Sequence, residues 1–107
     1  MGMALGYTDS NNYLRIRIRI IASVHRLEVH TVIGGVFTQL TSVDGTVWAD
    51  GDTMKVVLGP GNFVEVFRNG VSLTSSTNAG LSSITGTKQG LYTEVTTCRF
   101  NNLSITP

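Results

Sequence analysis

The sequence is poor in cysteine, proline and charge. Of its 107 residues, 1 is cysteine, 2 are proline and 14% are charged, with 8 Lys and Arg against 7 Asp and Glu and a net charge of +1. A single cysteine, Cys98, excludes an internal disulfide framework. The nearly balanced charge supplies no overall field that would draw the chain to nucleic acid or to an anionic membrane. We therefore expect neither of these partners.

The sequence also lacks long apolar runs and a recognisable leader. No apolar run reaches the length that crosses a bilayer. The N-terminus does not show the charged and then apolar pattern of a signal peptide. We expect a protein that does not span the membrane and is not secreted by a signal peptide.

What the sequence contains is typical of short strands joined by turns. Apolar residues make up 41% of the chain and 12 residues are glycine. The pairs Asn69-Gly70 and Gly34-Gly35 each separate two strand-like runs, and such residues tolerate the positive φ that a two-residue β-hairpin requires. No segment shows a sustained apolar period of 3.6 residues, so we expect essentially no helix. These features predict a single antiparallel all-β domain over residues 1–107.

The clearest predicted strand is Tyr13–Ile21, in which apolar and polar residues alternate. One face carries Leu14, Ile16, Ile18 and Ile20, and the other carries Tyr13, Arg15, Arg17 and Arg19. Leu81 and Ile84 are expected to anchor the polar loop that follows the hairpin. The other predicted strands are His25–Val32, Val36–Val43, Thr53–Leu58, Phe63–Arg68, Val71–Ser75, Gln89–Glu94 and Thr97–Thr106.

Four segments together resemble a known family. In chain order they are TDSNNYLRIRI, DGDTMKVVL, VEVFRNGVSL and GLYTEVTTCRFNNLSI. Their order and spacing, over Gly6 to Thr106, resemble the later part of a concanavalin A-like (laminin-G-like) jelly-roll domain. The resemblance implies an antiparallel jelly-roll-like β-sandwich. Modules of this kind are common in phage virion proteins and in bacterial surface and carbohydrate-active proteins.

The resemblance also implies an incomplete sheet. Family members carry further strands before the position that Met3 to Tyr7 matches. The strands that would have paired with these missing strands are expected to have unpaired edges. Such edges promote association with other chains unless they are blunted or completed by another strand. Two outcomes remain open: a reduced sandwich, or completion by a strand from a neighbouring chain.

Arg15, Arg17 and Arg19 are candidate contacts for a partner, since they line one strand face. Such a basic face suits an acidic glycan, a nucleic acid or an acidic capsid surface. The alternative is a solvated outer face whose charges are balanced by cross-strand pairs with Glu28 or Glu65. We favour the solvated face, with a protein partner as the best remaining option.

Aromatic side chains are the candidates for a glycan surface, because sugar rings stack on exposed aromatic rings. The candidates are Tyr7, Tyr13, Phe37, Trp48 and Tyr92. Trp48 is the strongest of these because it lies in a turn region at the end of a sheet. The alternative, in which its ring folds back as a lid on the core, is the one we favour.

The sequence predicts no metal site and no cofactor. Asp44, Asp50 and Asp52 lie close together, but Asp beside Gly is ordinary turn chemistry and the spacing matches no calcium loop. His25 and His30 are five residues apart on a strand, so they lie on opposite faces and cannot share a metal.

The sequence predicts no catalytic residues either. Glucanases of the resembled fold carry the pattern E-x-D-x-x-E, which none of the glutamates here begins. No G-x-S-x-G nucleophile elbow is present.

We therefore expect a non-enzymatic structural protein of a phage virion, either a capsid decoration or a tail-associated protein. It would assemble in the host cytoplasm, dock on other virion chains and on itself as a homo-oligomer, and mediate surface adhesion. Docking of this kind relies on shape and apolar contact more than on charge. The alternative is a carbohydrate-binding, lectin-like module for a cell-surface or polymeric glycan. A truncated relative of a glycosidase is a third possibility, which we do not favour.

Overall fold

The strands of this protein have alternating apolar and polar side chains, and two-residue turns join several of them. A computed structural model describes residues 2–49, 51–84, 86 and 88–92, the last five by their backbone alone. A short 3-10 helix spans Ala79–Ser83, and it is the one helical element of the described residues. The strands are β1 (Gly2–Asp9), β2 (Asn12–Ile21), β3 (Val24–Ile33), β4 (Val36–Asp44), β5 (Met54–Gly59), β6 (Phe63–Arg68), β7 (Val71–Thr77) and β8 (Lys88–Tyr92).

The described strands form two antiparallel sheets, so the predicted all-β class is confirmed. The first sheet has the order β4-β3-β2-β1-β8 and the second has the order β5-β6-β7. After β4 the chain crosses to the second sheet, and β8 then returns to pair with β1 on the side opposite β2. The first strand is thus paired on both sides, and the described edges of the first sheet are β4 and β8.

The two predicted hairpin turns have the required backbone conformation. Asn69 and Gly70 have φ of 50° and 82°, and Gly34 and Gly35 have φ of 58° and 79°. Positive φ at both central residues is the requirement of a type I′ turn, whose twist matches that of the flanking strands. The sequence therefore located both hairpins correctly.

The core lies between the two sheets. The fully buried side chains of the first sheet include Leu14 and Ile16 of β2, and those of the second include Val64 and Val66 of β6. Leu81 of the 3-10 helix is buried in the same cluster, as predicted. The members of this cluster are Leu14, Ile16, Leu27, Val29, Val64, Val66 and Leu81.

Two details complete the packing of the sheets. Thr41 of β4 and Thr74 of β7 join the sheets by a hydrogen bond of 2.6 Å between their hydroxyl oxygens. Ile84 packs against the core as expected, whereas Ile20 is 67% exposed. Ile20 has the predicted phase of β2 but lies near the end of the strand, beyond the buried cluster.

Some predictions fall on residues outside the described part of the chain. The strand predicted at Gln89–Glu94 is present as β8 as far as Tyr92. The strand predicted at Thr97–Thr106, with Cys98, lies outside the described residues, and so does Asp50. Within the described part, no helix is long and apolar enough to cross a membrane.

Candidate functional site

One face of the first sheet collects most of the predicted site residues. On β2 the side chains alternate, so that the phase opposite Leu14 and Ile16 points away from the core. We call this the outer face, and across β2, β3 and β4 the register assigns to it Tyr13, Arg15, Arg17, Arg19, Ile21, Val24, Arg26, Glu28, His30, Val32, Phe37, Gln39, Ser42 and Asp44.

The centre of the outer face is a buried ion pair. Glu28 is directly opposite Arg17 on the neighbouring strand and is 3% exposed. Arg17 donates to Oε1 of Glu28 from Nε at 3.0 Å and from Nη2 at 2.7 Å. Nη1 of Arg19 lies 3.5 Å from the same oxygen. The expected balance between the arginines and a cross-strand glutamate is therefore present at Glu28.

The ionisation of Glu28 reflects two opposing effects. Burial raises the pKa of this carboxyl group. The hydrogen bonds and charge of Arg17, followed by the charge of Arg19, outweigh burial, so that the pKa lies below its ordinary value. The carboxylate is accordingly charged near neutral pH, and the pair holds β2 and β3 together.

Glu65, the other expected charge partner, and Arg26 have partners of their own. Glu65 accepts a hydrogen bond of 2.7 Å from Ser72 on the second sheet, so it does not balance the arginines of β2. Arg26 forms an ion pair with Asp44, with Nε 2.7 Å from Oδ1 and Nη2 3.2 Å from Oδ2. Of the two alternatives, Glu28 or Glu65, the structure therefore has Glu28, because Glu65 lies on β6 in the other sheet.

Arg15 and His30 form a second, unsatisfied pair on the outer face. They are directly opposite each other on β2 and β3. Nε of Arg15 and Nδ1 of His30 are both buried, and neither has a hydrogen-bond partner among the residues that the structure describes. Cζ of Arg15 lies 4.4 Å from the centroid of the Phe37 ring, a cation–π contact. Burial, and then the charge of Arg15, lowers the pKa of His30, so this imidazole is neutral near pH 7.

An aromatic row borders this pair. The register places Tyr13, Val32 and Phe37 side by side on three neighbouring strands. The Tyr7 and Tyr13 rings have centroids 5.5 Å apart. Val32 is fully buried on the outer face, whereas Phe37 is 50% exposed. Tyr13 and Phe37 are two strands apart, about 10 Å. The row therefore presents separated rings around an apolar centre.

Gly6 allows Tyr7 to join the row. The register of β1 shifts between Leu5 and Asp9, and Gly6 within this irregularity has a φ of 57°. A Cβ at this position would collide with the side chain of Ile84. Glycine is thus required here both by conformation and by space.

Trp48 lies apart from the outer face. Its ring faces Arg68 of the second sheet, with Cζ of Arg68 5.7 Å from the ring centroid. Its Nε1 is buried and has no partner within the residues that the structure describes. The ring is half-buried. An indole with its N–H turned inward and Arg68 over its ring is not presented as an open stacking platform.

Asp52 organises the turn that holds Trp48. Its carboxylate accepts hydrogen bonds from Asn69 Nδ2 at 2.9 Å, from the Ala49 N–H at 2.8 Å and from Arg68 Nε at 2.9 Å. These bonds, with that of Asn69 the largest, lower the pKa of Asp52 to about 2. The carboxylate serves the structure of the turn, as the turn-chemistry interpretation predicts.

The remaining candidates can be placed by their backbone. Tyr92 pairs through its backbone with Gly2, whose other neighbour is Arg17. His25 and His30 fall on opposite faces of β3 by register, as predicted. Among the residues that the structure describes, no group of three or more His, Cys, Asp or Glu could hold a metal ion.

The sequence did not reveal the burial of His30. Alternation assigns His30 to the outer face, but its burial depends on its tertiary neighbours, which a strand pattern does not show. The sequence signal that could have drawn attention to His30 is its place on the strand next to the arginines of β2.

Comparison with protein-family models, with curated proteins and with solved structures found no match to this chain.

Proposed function

We propose that this chain is a non-enzymatic structural module of a phage virion, a capsid decoration or tail-associated protein. It docks on other virion chains, assembles as a homo-oligomer and contributes to surface adhesion. The virion setting is supported by the resemblance of its four sequence segments to concanavalin A-like modules. Docking is supported by the first half of β4, whose outer edge is not paired with another strand in the described part of the chain.

The finer fold of this proposal is a jelly-roll-like β-sandwich. Two antiparallel sheets around one core support it. The order β8-β1-β2-β3, in which a late strand returns beside the first of a meander, is that of a Greek key, the connection found in most sandwiches.

The observation that carries the docking proposal is the edge of β4. Val36, Phe37, Thr38 and Gln39 are all exposed, and in the described part of the chain no strand pairs with their outer side. The stretch from Val36 to Val43 has no charged residue and no proline. Proteins use both to block further pairing at sheet edges.

A bulge limits the open stretch. Thr41 pairs with Val29 and Gln39 pairs with His30, which leaves Leu40 as the extra residue of β4. Beyond the bulge, β4 lies against the second sheet through Thr41. An extended segment of a partner can therefore add along the four exposed residues, and backbone hydrogen bonds would supply the affinity.

The test is binding to the structural proteins encoded next to the gene of this chain. Each is titrated by calorimetry, and amide hydrogen exchange is followed in the complex. We expect added protection at residues 36–39. Thr38→Lys should weaken binding at least about tenfold, because a charged side chain on an edge strand disfavours the pairing of a further strand. Ser10→Lys, which adds the same charge in the exposed β1–β2 turn, should not.

Three results would each contradict one part of this proposal. Binding that is equally strong in Thr38→Lys, with no protection at β4, would show that another surface docks. Gene neighbours that encode no capsid or tail proteins, or no binding to any of them, would overturn the virion setting. A monomer at every concentration in sedimentation equilibrium would overturn the homo-oligomer.

The second candidate function is binding of a surface or polymeric glycan at the outer face. It is favoured by the aromatic row, in which exposed ring surface lies beside the guanidinium of Arg15. Glycan sites combine an apolar surface with a few placed polar groups. On a glycan array, Phe37→Ala or Tyr13→Ala should abolish binding while Trp48→Ala retains it. Loss of binding in Trp48→Ala alone would move the site to the turn.

A further inference from the structure

We infer that Arg15 and His30 form a subsite for the carboxylate of an acidic sugar, whose ring lies on the neighbouring aromatic row. This inference rests on the second candidate function, the binding of a glycan at the outer face. It adds the chemical class of the ligand and assigns the residues that select it.

The first argument is the pair of unpartnered nitrogens. His30 is 7% exposed, and its Nδ1 has no hydrogen-bond partner in the described part of the chain. Nε of Arg15, on the opposite residue, is buried and also has no partner there. Buried polar atoms in native proteins are normally hydrogen-bonded, so two such atoms on directly paired residues indicate a missing partner, which is an acceptor when His30 carries its proton on Nδ1. A carboxylate supplies two acceptor oxygens.

The second argument is charge. On β2, Arg17 and Arg19 both approach Glu28. Within the residues that the structure describes, Arg15 contacts no carboxylate, and its charge is met only by the Phe37 ring. One glutamate therefore pairs with two of the three arginines of this strand, and the third, Arg15, is left over. The excess positive charge lies at Arg15, where the fork of the guanidinium matches the geometry of a carboxylate.

The third argument is the position of the rings. Phe37 is half-exposed beneath the Arg15 guanidinium, and Tyr13 lies on the same row two strands away. Since both nitrogens are buried, the Arg15 side chain has to rotate away from Phe37 to admit the anion. The same rotation uncovers the Phe37 ring for the sugar. One side-chain movement therefore opens both halves of the site.

The site predicts a coupling between binding and protonation. The charged groups that face His30 are Arg15, Arg17 and Arg19 from β2 and Glu28 on its own strand, whereas Gln39 on β4 is neutral. Burial, and then the charges of the arginines, hold the pKa of His30 down, and a carboxylate at Nδ1 opposes both effects. Binding of the acid sugar should therefore take up a proton and strengthen as the pH falls through and below the ordinary range of histidine.

The test compares acid sugars with their own methyl esters. The full chain is titrated by calorimetry with trigalacturonate and 3′-sialyllactose, and with the methyl ester of each. We expect the acids to bind at least about tenfold more tightly than the esters. Arg15→Gln and His30→Gln should remove this difference without weakening the ester. Arg26→Gln, an arginine of the outer face paired with Asp44, should leave both affinities unchanged.

The possible results separate the inference from the function on which it rests. Equal affinity for acid and ester would overturn the carboxylate subsite while leaving glycan binding intact. If neither the acid sugars nor their esters bind, both the carboxylate subsite and glycan binding at the outer face are overturned. Inorganic phosphate that binds as tightly as the acid sugar, and equally well in Tyr13→Ala, would show an anion site without a sugar and overturn the inference. In NMR titrations the pKa of His30 should rise on addition of the acid, and an unchanged pKa would contradict the assignment of His30.

Discussion

Arg17 donates two hydrogen bonds to a single carboxylate oxygen of Glu28 across the β2–β3 pair. Both residues lie on the face of the sheet that points away from the core, yet Glu28 is almost completely buried. A charge removed from water in this way is stable only while its partners remain. The outer face is therefore a packed and ordered surface, which is the property that a recognition site requires.

The first prediction concerns this ion pair. Glu28→Gln removes the charge but keeps the shape, so Arg17 loses its compensating carboxylate. Breaking a buried pair costs about 3–5 kcal/mol, and because Arg17 and Arg19 are partly exposed we expect about 2–3 kcal/mol less free energy of unfolding. Urea denaturation measures this. Glu65→Gln is the matched control and should change stability by less than about 1 kcal/mol, since Glu65 accepts one exposed hydrogen bond, from Ser72, among the described residues. Equal effects of the two substitutions would contradict the prediction.

The second prediction concerns acid. The pKa of Asp52 is about 2 in the folded protein, well below the ordinary value near 4. A lowered pKa means that the stabilisation is fully present above the unfolded value and is lost as the pH falls through the folded value. The stability difference between the wild type and Asp52→Asn should therefore be constant above about pH 5 and shrink toward about pH 2. Urea midpoints across this range measure it, and a difference that stays constant would contradict the prediction.

The turns and the strand phase were readable from the sequence for local reasons. Asn69-Gly70 is informative because few residues accept positive φ. The alternation of β2 placed Arg15, Arg17 and Arg19 on one face, because the strand period is two. Both signals depend only on neighbours in the chain, so tertiary structure did not override them.

The burial of polar residues on the outer face and the position of β4 at the edge of the sheet could not be predicted from local sequence patterns. Glu28 and His30 are polar residues whose burial depends on the side chains that adjacent strands contribute. The exposure of β4 depends on strand order, and it is the pairing of β8 with β1 that leaves β4 at the edge. Neither property is encoded in a local pattern, and the candidate site depends on both.

The third prediction compares two isoleucines of β2. Ile16 and Ile20 have the same phase on the strand, but Ile16 is fully buried and Ile20 is largely exposed. Ile16→Ala leaves a cavity between the sheets and should lower the free energy of unfolding by about 2–5 kcal/mol. Ile20→Ala should cost less than about 1 kcal/mol, the span of strand propensities. Chemical denaturation compares the two. Similar losses at both positions would show that the second sheet extends over Ile20.

The fourth prediction concerns the turn between β2 and β3. Ala22 and Ser23 have φ of 48° and 67° and join strands that close at the pair Ile21 and Val24. Residues with a Cβ are disfavoured by about 1–2 kcal/mol each in this left-handed region. Asn-Gly adopts the same conformation readily, as it does at the β6–β7 turn.

Replacing Ala22 by Asn together with Ser23 by Gly should therefore stabilise the protein. Removing the backbone strain at these two positions is partly offset by the greater conformational entropy of glycine in the unfolded chain. We therefore expect the free energy of unfolding to rise by about 1 kcal/mol. Ser42→Gly, at an exposed position within β4, is the control and should lower stability, because there glycine relieves no strain and only loosens the strand. Thermal and urea unfolding measure both changes. A loss of stability in the Asn-Gly variant would show that the left-handed conformation at Ala22 and Ser23 is not the one that the β2–β3 hairpin adopts.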